Sequence, residues 1–255
     1  MRYASRRRAR VFIGGCLCVL LAATAFAQFG RGRFEVHPNV HYDGRFTFVR
    51  LKYTTAPGGY WYGGWPAWGH GHPLSEQNLM RIMNEVSYLN PHTDDVNTLA
   101  LDDPELFKYP IAMMWEPGFW SLTDSEAQHF REYLLKGGFA IFDDFEQDQW
   151  INYEEQMRRV LPDGRFVKLD ATHPVFDTFF RMKTIEFPHP MFGYIPNYYG
   201  IFEDNDPEKR LMVIANHNND VAEYWEWSGE GRFPVDMSNE AWKLGINYML
   251  YGMTR

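Results

Sequence analysis

The chain has 255 residues, 45% of them hydrophobic and 17% aromatic, with 33 acidic against 25 basic side chains and a net charge of −8 at pH 7. That balance excludes a general electrostatic attraction for nucleic acid. The two cysteines, Cys16 and Cys18, both lie in the N-terminal leader, so the remainder has neither disulfide nor cysteine-nucleophile chemistry.

The leader carries Arg2, Arg6, Arg7, Arg8 and Arg10, then a mostly apolar run from Val11 to Ala25. Ala25-Phe26-Ala27 fits a small-x-small cleavage site, so residues 1–27 read as a signal peptide. The run is too short to favour a membrane span. Membrane contact is expected only through this export signal, and the mature chain is expected to be periplasmic or secreted after cleavage near Ala27. Ser5-Arg6-Arg7 leaves twin-arginine export open beside the general route. A lipid-attachment role for Cys16 ranks second, because it would cut the apolar run too early. Cleavage leaves 20 basic against 33 acidic side chains, a net of −13.

Residues 28–45 are Gly/Arg-rich without periodicity and read as a loose N-terminal segment; residues 46–255 have the size of a single domain. Phe46 to Tyr53 alternates at period two, as a strand does. Thr54 to Pro73, with Trp61, Trp65 and Trp68 among glycines, has no element of its own, and such long loops are often functional. Leu74 to Leu89 repeats apolar residues at helical spacing, with Ser75 as the expected cap. Asp94 to Thr98 and Tyr109 to Trp115 read as strands. Thr123-Asp124-Ser125-Glu126 is a capping box, and Gly137-Gly138 ends the helix it opens. Phe139 to Phe142 is a short apolar strand running into Asp143-Asp144.

Gln149 to Leu161 reads as another helix and Phe166 to Leu169 as a strand. His173-Pro174 opens a helical turn, and Phe187 to Tyr199 reads as an aromatic loop. Leu211 to Ala215 is a buried strand and Ser238 to Tyr251 a terminal helix. Alternating strands and helices predict a mostly parallel sheet covered on both faces.

In such a sheet, ligands bind at the carboxyl ends of the strands. Asp143 and Asp144 stand at one such end, and the pleat separates them: one supports the next helix, while the other faces a crevice as metal ligand, base or hydrogen-bond acceptor. Loop and helix-cap chemistry is the competing explanation. Asn216-His217-Asn218-Asn219-Asp220 follows the later buried strand, either as a turn or as a second contributor to that crevice. The candidate ligand-binding residues are therefore Asp143, Asp144, His217, Asn219 and Asp220, with Trp65 and Trp68 as stacking rings. His70-Gly71-His72 is a short chelating pattern in an otherwise solvent-like loop. His173-Pro174 and His189-Pro190 read as turn residues. No nucleophile elbow, Walker loop, His-Glu-x-x-His or dinucleotide fingerprint occurs, so no cofactor is expected; the catalytic residues and any metal are not legible.

Phe46 to Tyr53, Asp103-Pro104-Glu105-Leu106-Phe107, Tyr133 to Phe139 with Asp143-Asp144, His173-Pro174-Val175-Phe176, and Asn219-Asp220 with Trp225 carry a resemblance. On these the chain resembles the domain of unknown function family 4159, a group of bacterial exported or membrane-linked proteins. That family is more remotely similar to the class I glutamine amidotransferase-like superfamily. The resemblance implies an α/β, flavodoxin-like three-layer sandwich. In amidotransferases the strand matching Phe139 to Phe142 leads to an elbow with a nucleophilic cysteine. Asp143-Asp144 stands near that place here, so amidotransferase activity is not expected. The expectation is an exported ligand-binding domain, with carbohydrate as the favoured ligand class. A glycan-related hydrolase using Asp143 or Asp144, and an interaction module for a cell-envelope protein partner, are the alternatives.

Overall fold

The structure, a computed structural model, describes residues 34–61 and 63–255. The expected signal peptide, residues 1–27, lies outside them. Contacts divide the chain into a small unit, Met1–Glu35 with Tyr60–Trp65, and a large one, Val36–Gly59 with Pro66–Arg255. In the small unit the rings of Phe34 and Trp65 lie 5.5 Å apart.

The large unit is built on seven strands: β1 (Phe48–Lys52), β2 (Val96–Ala100), β3 (Ile111–Trp115), β4 (Phe139–Phe145), β5 (Val167–Leu169), β6 (Asn197–Phe202) and β7 (Leu211–His217). They lie in the order β2-β1-β3-β4-β7-β6-β5. Five contiguous strands, β2 to β7 in that order, are parallel, whereas β6 is antiparallel to both its neighbours. Ile111-Ala112-Met113-Met114-Trp115 is buried throughout, as a parallel strand covered on both faces must be.

Helices α1 (Leu74–Val86), α4 (Val221–Glu226) and α5 (Val235–Thr254) pack together on one face; α2 (Asp124–Leu135) and α3 (Gln149–Val160) pack on the other. On the first face Phe48, Met113, Trp115 and Ile141 meet Leu79, Met83, Ile246 and Met249. On the second, Phe142 packs edge-on against Trp120 and Phe130 and touches Tyr153. Each such side chain contributes roughly 1.5–3 kcal/mol by leaving water.

Local chemistry fixes how these elements start and stop. Thr123 Oγ1 accepts from the Glu126 amide while Glu126 Oε2 accepts from the Thr123 amide, so the capping box forms. At the far end of α2, the Gly138 amide donates to Tyr133 and that of Gly137 to Leu134, a Schellman exit that the φ of +116° at Gly137 permits. Ser75 does not cap α1: its hydroxyl turns to Gly71 O and to Glu76. Residues 36–45 are held along the outer edge of β2, where Asn39 and Thr98 exchange two hydrogen bonds and Asn97 another two with Val40. They cover an edge that would otherwise offer unpaired backbone. Among the described residues no helix is long and apolar enough to cross a membrane.

Candidate functional site

The chain leaves β1 for β2 on one side and then returns across β1 to β3. Such a reversal is where crevices form in open α/β sheets, and it falls at the carboxyl ends of β1 and β3. The bond pattern beside it brings the ends of β4 and β7 together: the Asp144 amide donates to Asn219 O, and the Asn218 amide to Phe145 O.

Asp143 and Asp144 take different roles there. Asp143 is fully buried on the α4 side, accepting from Asn216 Nδ2 at 2.8 Å and from the Ala222 amide, at the start of α4, at 2.9 Å. Tyr248 donates in turn to Asn216. Burial pushes the Asp143 carboxyl up to about 7, against those two hydrogen bonds, which favour its charged form. Asp143 is thus a helix support. At Asp144 the pleat breaks: φ is +61°, and the pairing with β7 shifts register between Ala215 and His217. The left-handed backbone turns its carboxylate onto the rim, at a cost of order 1 kcal/mol.

Asp144 Oδ2 meets His70 Nδ1 at 2.7 Å. Glu116 Oε1 lies 3.4 Å from the same nitrogen, and Glu223 Oε2 lies 3.5 Å from Nε2 on the other side of the ring. Glu116 also has a left-handed backbone, φ +48°, directly after β3. Its carbonyl accepts from the Tyr53 hydroxyl at 2.6 Å. Asp220 caps α4 through the Glu223 amide and faces His70 and Asp144. Burial alone would lower the His70 pKa, but Asp144, Glu116 and Asp220 outweigh it and push it up to about 12. Burial raises Asp220, Glu223 and Glu226, with neighbouring carboxylates adding to it. Burial beside Asp144 raises Glu146 to about 7.

His70 is placed by a buried ion pair. Arg50 on β1 donates to Glu76 on α1, and its Nη1 donates to the carbonyls of Trp68 and His70, each at 2.7 Å. The guanidinium lies 3.6 Å over the Trp115 ring. Gly71 then passes close to α4: with φ +66°, an added Cβ would stand 2.8 Å from Glu226 Oε2.

Of the residues singled out from sequence, Asp144 and Asp220 converge, while Asp143 and Asn219 lie beneath them as support. The Asn219 side chain accepts from the Asp220 amide and donates weakly to Tyr198. His217 does not join them. Alternation along β7 sends Asn216 toward Asp143 and His217 the other way, onto Phe145 and Trp150, with Nε2 on Gln147 O. Trp68 is buried in a short helical turn and offers no stacking face. Trp65 belongs to the small unit. Glu116, Glu146 and Glu223 are members that reading the sequence missed, while the sequence shows His70 only as part of a short chelating pattern and His189 only as a turn residue. The His-x-His pattern and the acidic run after Asp220 were the available signals.

Among the described residues, three overlapping sets of side chains bring possible ligand atoms within 4.8 Å of one another: His70, Asp144 and Asp220; His70, Glu223 and Glu226; Asp144, Glu146 and His189. Order and layers define a mostly parallel, three-layer α/β sandwich with a cluster of carboxylates around His70 at its strand ends. Residues 47–253 match the family described as Domain of unknown function (DUF4159), and the chain belongs to that family. No match is found among curated proteins.

Proposed function

We propose that the protein is an exported, metal-assisted hydrolase whose crevice holds a divalent cation on His70, Asp144 and Asp220. The observation that carries this reading is His70 itself. Its side chain is a quarter exposed, yet carboxylates from β3, β4 and α4 face both ring nitrogens. So many carboxylates in a half-buried space demand a positive charge. The imidazolium supplies it in the free protein, and a cation releases that proton and uses the ring as a ligand. One imidazole with carboxylates suits zinc or manganese. A cation there lowers the pKa of bound water. In hydrolysis the water oxygen bonds to the electrophilic centre, its proton passes to Glu223, and the leaving group departs with a proton from the same carboxyl. No cysteine follows Cys18, so amidotransferase chemistry has no nucleophile.

A second reading is favoured by the two ligand sets that share His70, one with Asp144 and Asp220 and one with Glu223 and Glu226: a cation-linked binding domain without turnover. Titration calorimetry of chelator-treated protein with Mn²⁺ and Zn²⁺ tests the shared step. One of the two is expected to bind, with affinity at least tenfold weaker in His70→Ala and in Asp144→Asn. Absence of binding, or wild-type affinity in both variants, refutes the site. Turnover of ester or glycoside substrates only with the metal present separates the hydrolase from the binding domain.

A further inference from the structure

His189 lies on the loop between β5 and β6 and is 3% exposed. Its Nδ1 accepts from the Met191 amide at 3.2 Å. The other His-Pro turn does the same, His173 Nδ1 accepting from the Val175 amide. An Nδ1 that accepts leaves the neutral ring's proton on Nε2. That nitrogen is buried and has no hydrogen-bond partner among the described residues. It points at Glu146 Oε2, 4.0 Å away and beyond hydrogen-bond reach, within the cluster that includes Asp144. A metal-ligating histidine normally donates its second N–H to an acceptor. Here the second nitrogen meets an N–H, so His189 is a donor and not a metal ligand.

The loop is tied down around it. The His189 amide donates to Tyr194 O, the Gly193 amide donates to His189 O, and Tyr224 donates to Pro188 O. Beside the ring, at 4.8 Å between centroids, stands Phe192, which is 59% exposed.

We propose that His189 and Glu146 form a hydroxyl-binding subsite next to the cation position, with Phe192 as its stacking face, and that the ligand is a neutral carbohydrate. This rests on the cation reading above and names its substrate class. The donor and the carboxylate are too far apart to satisfy each other, but one oxygen can sit about 2.8 Å from both. A hydroxyl accepts from Nε2–H and donates to Glu146 at once. A carbonyl leaves the carboxylate without a donor, an ammonium opposes the N–H, and an anion is repelled by Asp144 and Glu146. Glu146 is partly exposed and opens the position by a change of rotamer. The flat apolar face of a sugar ring suits Phe192.

The test is thermal denaturation of the full chain saturated with Mn²⁺. Its probes are neutral gluco-, xylo-, manno- and galacto-oligosaccharides, with oligogalacturonate as the anionic control. At ten times its Kd, a bound oligosaccharide should raise the melting point by about 3–5 °C. Oligogalacturonate should not. His189→Phe keeps a flat ring, though a larger one, and removes the donor; Phe192→Ala is a surface change that leaves folding intact. Either should weaken oligosaccharide affinity at least fivefold with Mn²⁺ affinity unchanged. If Mn²⁺ binds but no neutral sugar shifts the melting point, or both variants respond as wild type, the subsite is wrong and the cation site stands. If sugars bind and neither Mn²⁺ nor Zn²⁺ does, the cation reading fails and the subsite stands.

Discussion

His70 Nδ1 and Asp144 Oδ2 lie 2.7 Å apart across 74 residues of chain, one on a loop pinned by Arg50, the other on a left-handed turn at the end of β4. Neither position is an accident of a single element. A loop and a strand end are each forced toward the same point.

The first prediction concerns the cation. A ligand at a hundred times its Kd stabilises the native state by about 2.7 kcal/mol, which in a chain of this size raises the melting point by roughly 5–10 °C. Mn²⁺ or Zn²⁺ should do so and a chelator should reverse it, as calorimetric scans would record. In His70→Ala, with affinity at least tenfold weaker, the shift at the same metal concentration should fall to about half or less. A shift of wild-type size in this variant would count against the ligand set.

The second separates the neighbouring carboxylates. Asp143→Asn turns an amide into the Asn216–Asp143–Ala222 network, where either its oxygen or its nitrogen can meet only one of the two donors correctly. A buried unsatisfied group costs about 1–3 kcal/mol. Urea denaturation should report that loss while metal affinity stays within twofold. Asp144→Asn should show the reverse pattern, with affinity lost and stability changed little.

Much of the fold was legible because its signals are local. The Thr123 capping box, the Gly137-Gly138 exit and the apolar run Ile111–Trp115 each fix an element within a few residues. Two elements were not. The strand Asn197–Phe202 follows Pro196 and an aromatic loop and holds Gly200 in its middle, so it shows no clean alternation. The helix Val221–Glu226 is six residues long and depends on Asp143 and Asp220 for its N-terminal amides, one of them 79 residues away. In the site, the strand ends could be read from pattern alone. The convergence of His70, Glu116, Glu146, His189 and Glu223 could not, because it is made by topology and by backbone at positive φ. The tryptophan-rich loop of residues 54–73 misled for a different reason. Glycines around Trp68 look like a flexible platform, but a tight turn drives that ring into the core.

A third prediction follows from the way the loop passes α4. Gly71→Ala places a Cβ at φ +66° and within 2.8 Å of Glu226 Oε2. The backbone strain costs about 1 kcal/mol or more, and the displaced turn carries His70 with it. Metal affinity should fall at least fivefold in calorimetry although no ligand has been removed. Unchanged affinity would mean that the loop is not held to that path.

The last prediction is a pH dependence of stability, and it belongs to Glu76. Burial raises the pKa of this carboxyl, but the Arg50 guanidinium and His72 outweigh burial and hold it at about 2, against 4.5 for the free side chain. A depressed carboxyl stabilises the native state fully above its unfolded pKa, and the gain is lost as pH falls through the folded value. The window is therefore about pH 4.5 down to pH 2, and a difference of this size corresponds to about 3 kcal/mol. Glu76→Gln should remove that part of the acid slope. At neutral pH the same variant leaves Arg50 buried without its counter-charge, which costs roughly 3–5 kcal/mol. Urea midpoints of the two proteins should accordingly differ most at pH 7 and draw together toward pH 2. Parallel midpoints across the whole range would show that the Arg50–Glu76 pair is not what holds the His70 loop against acid.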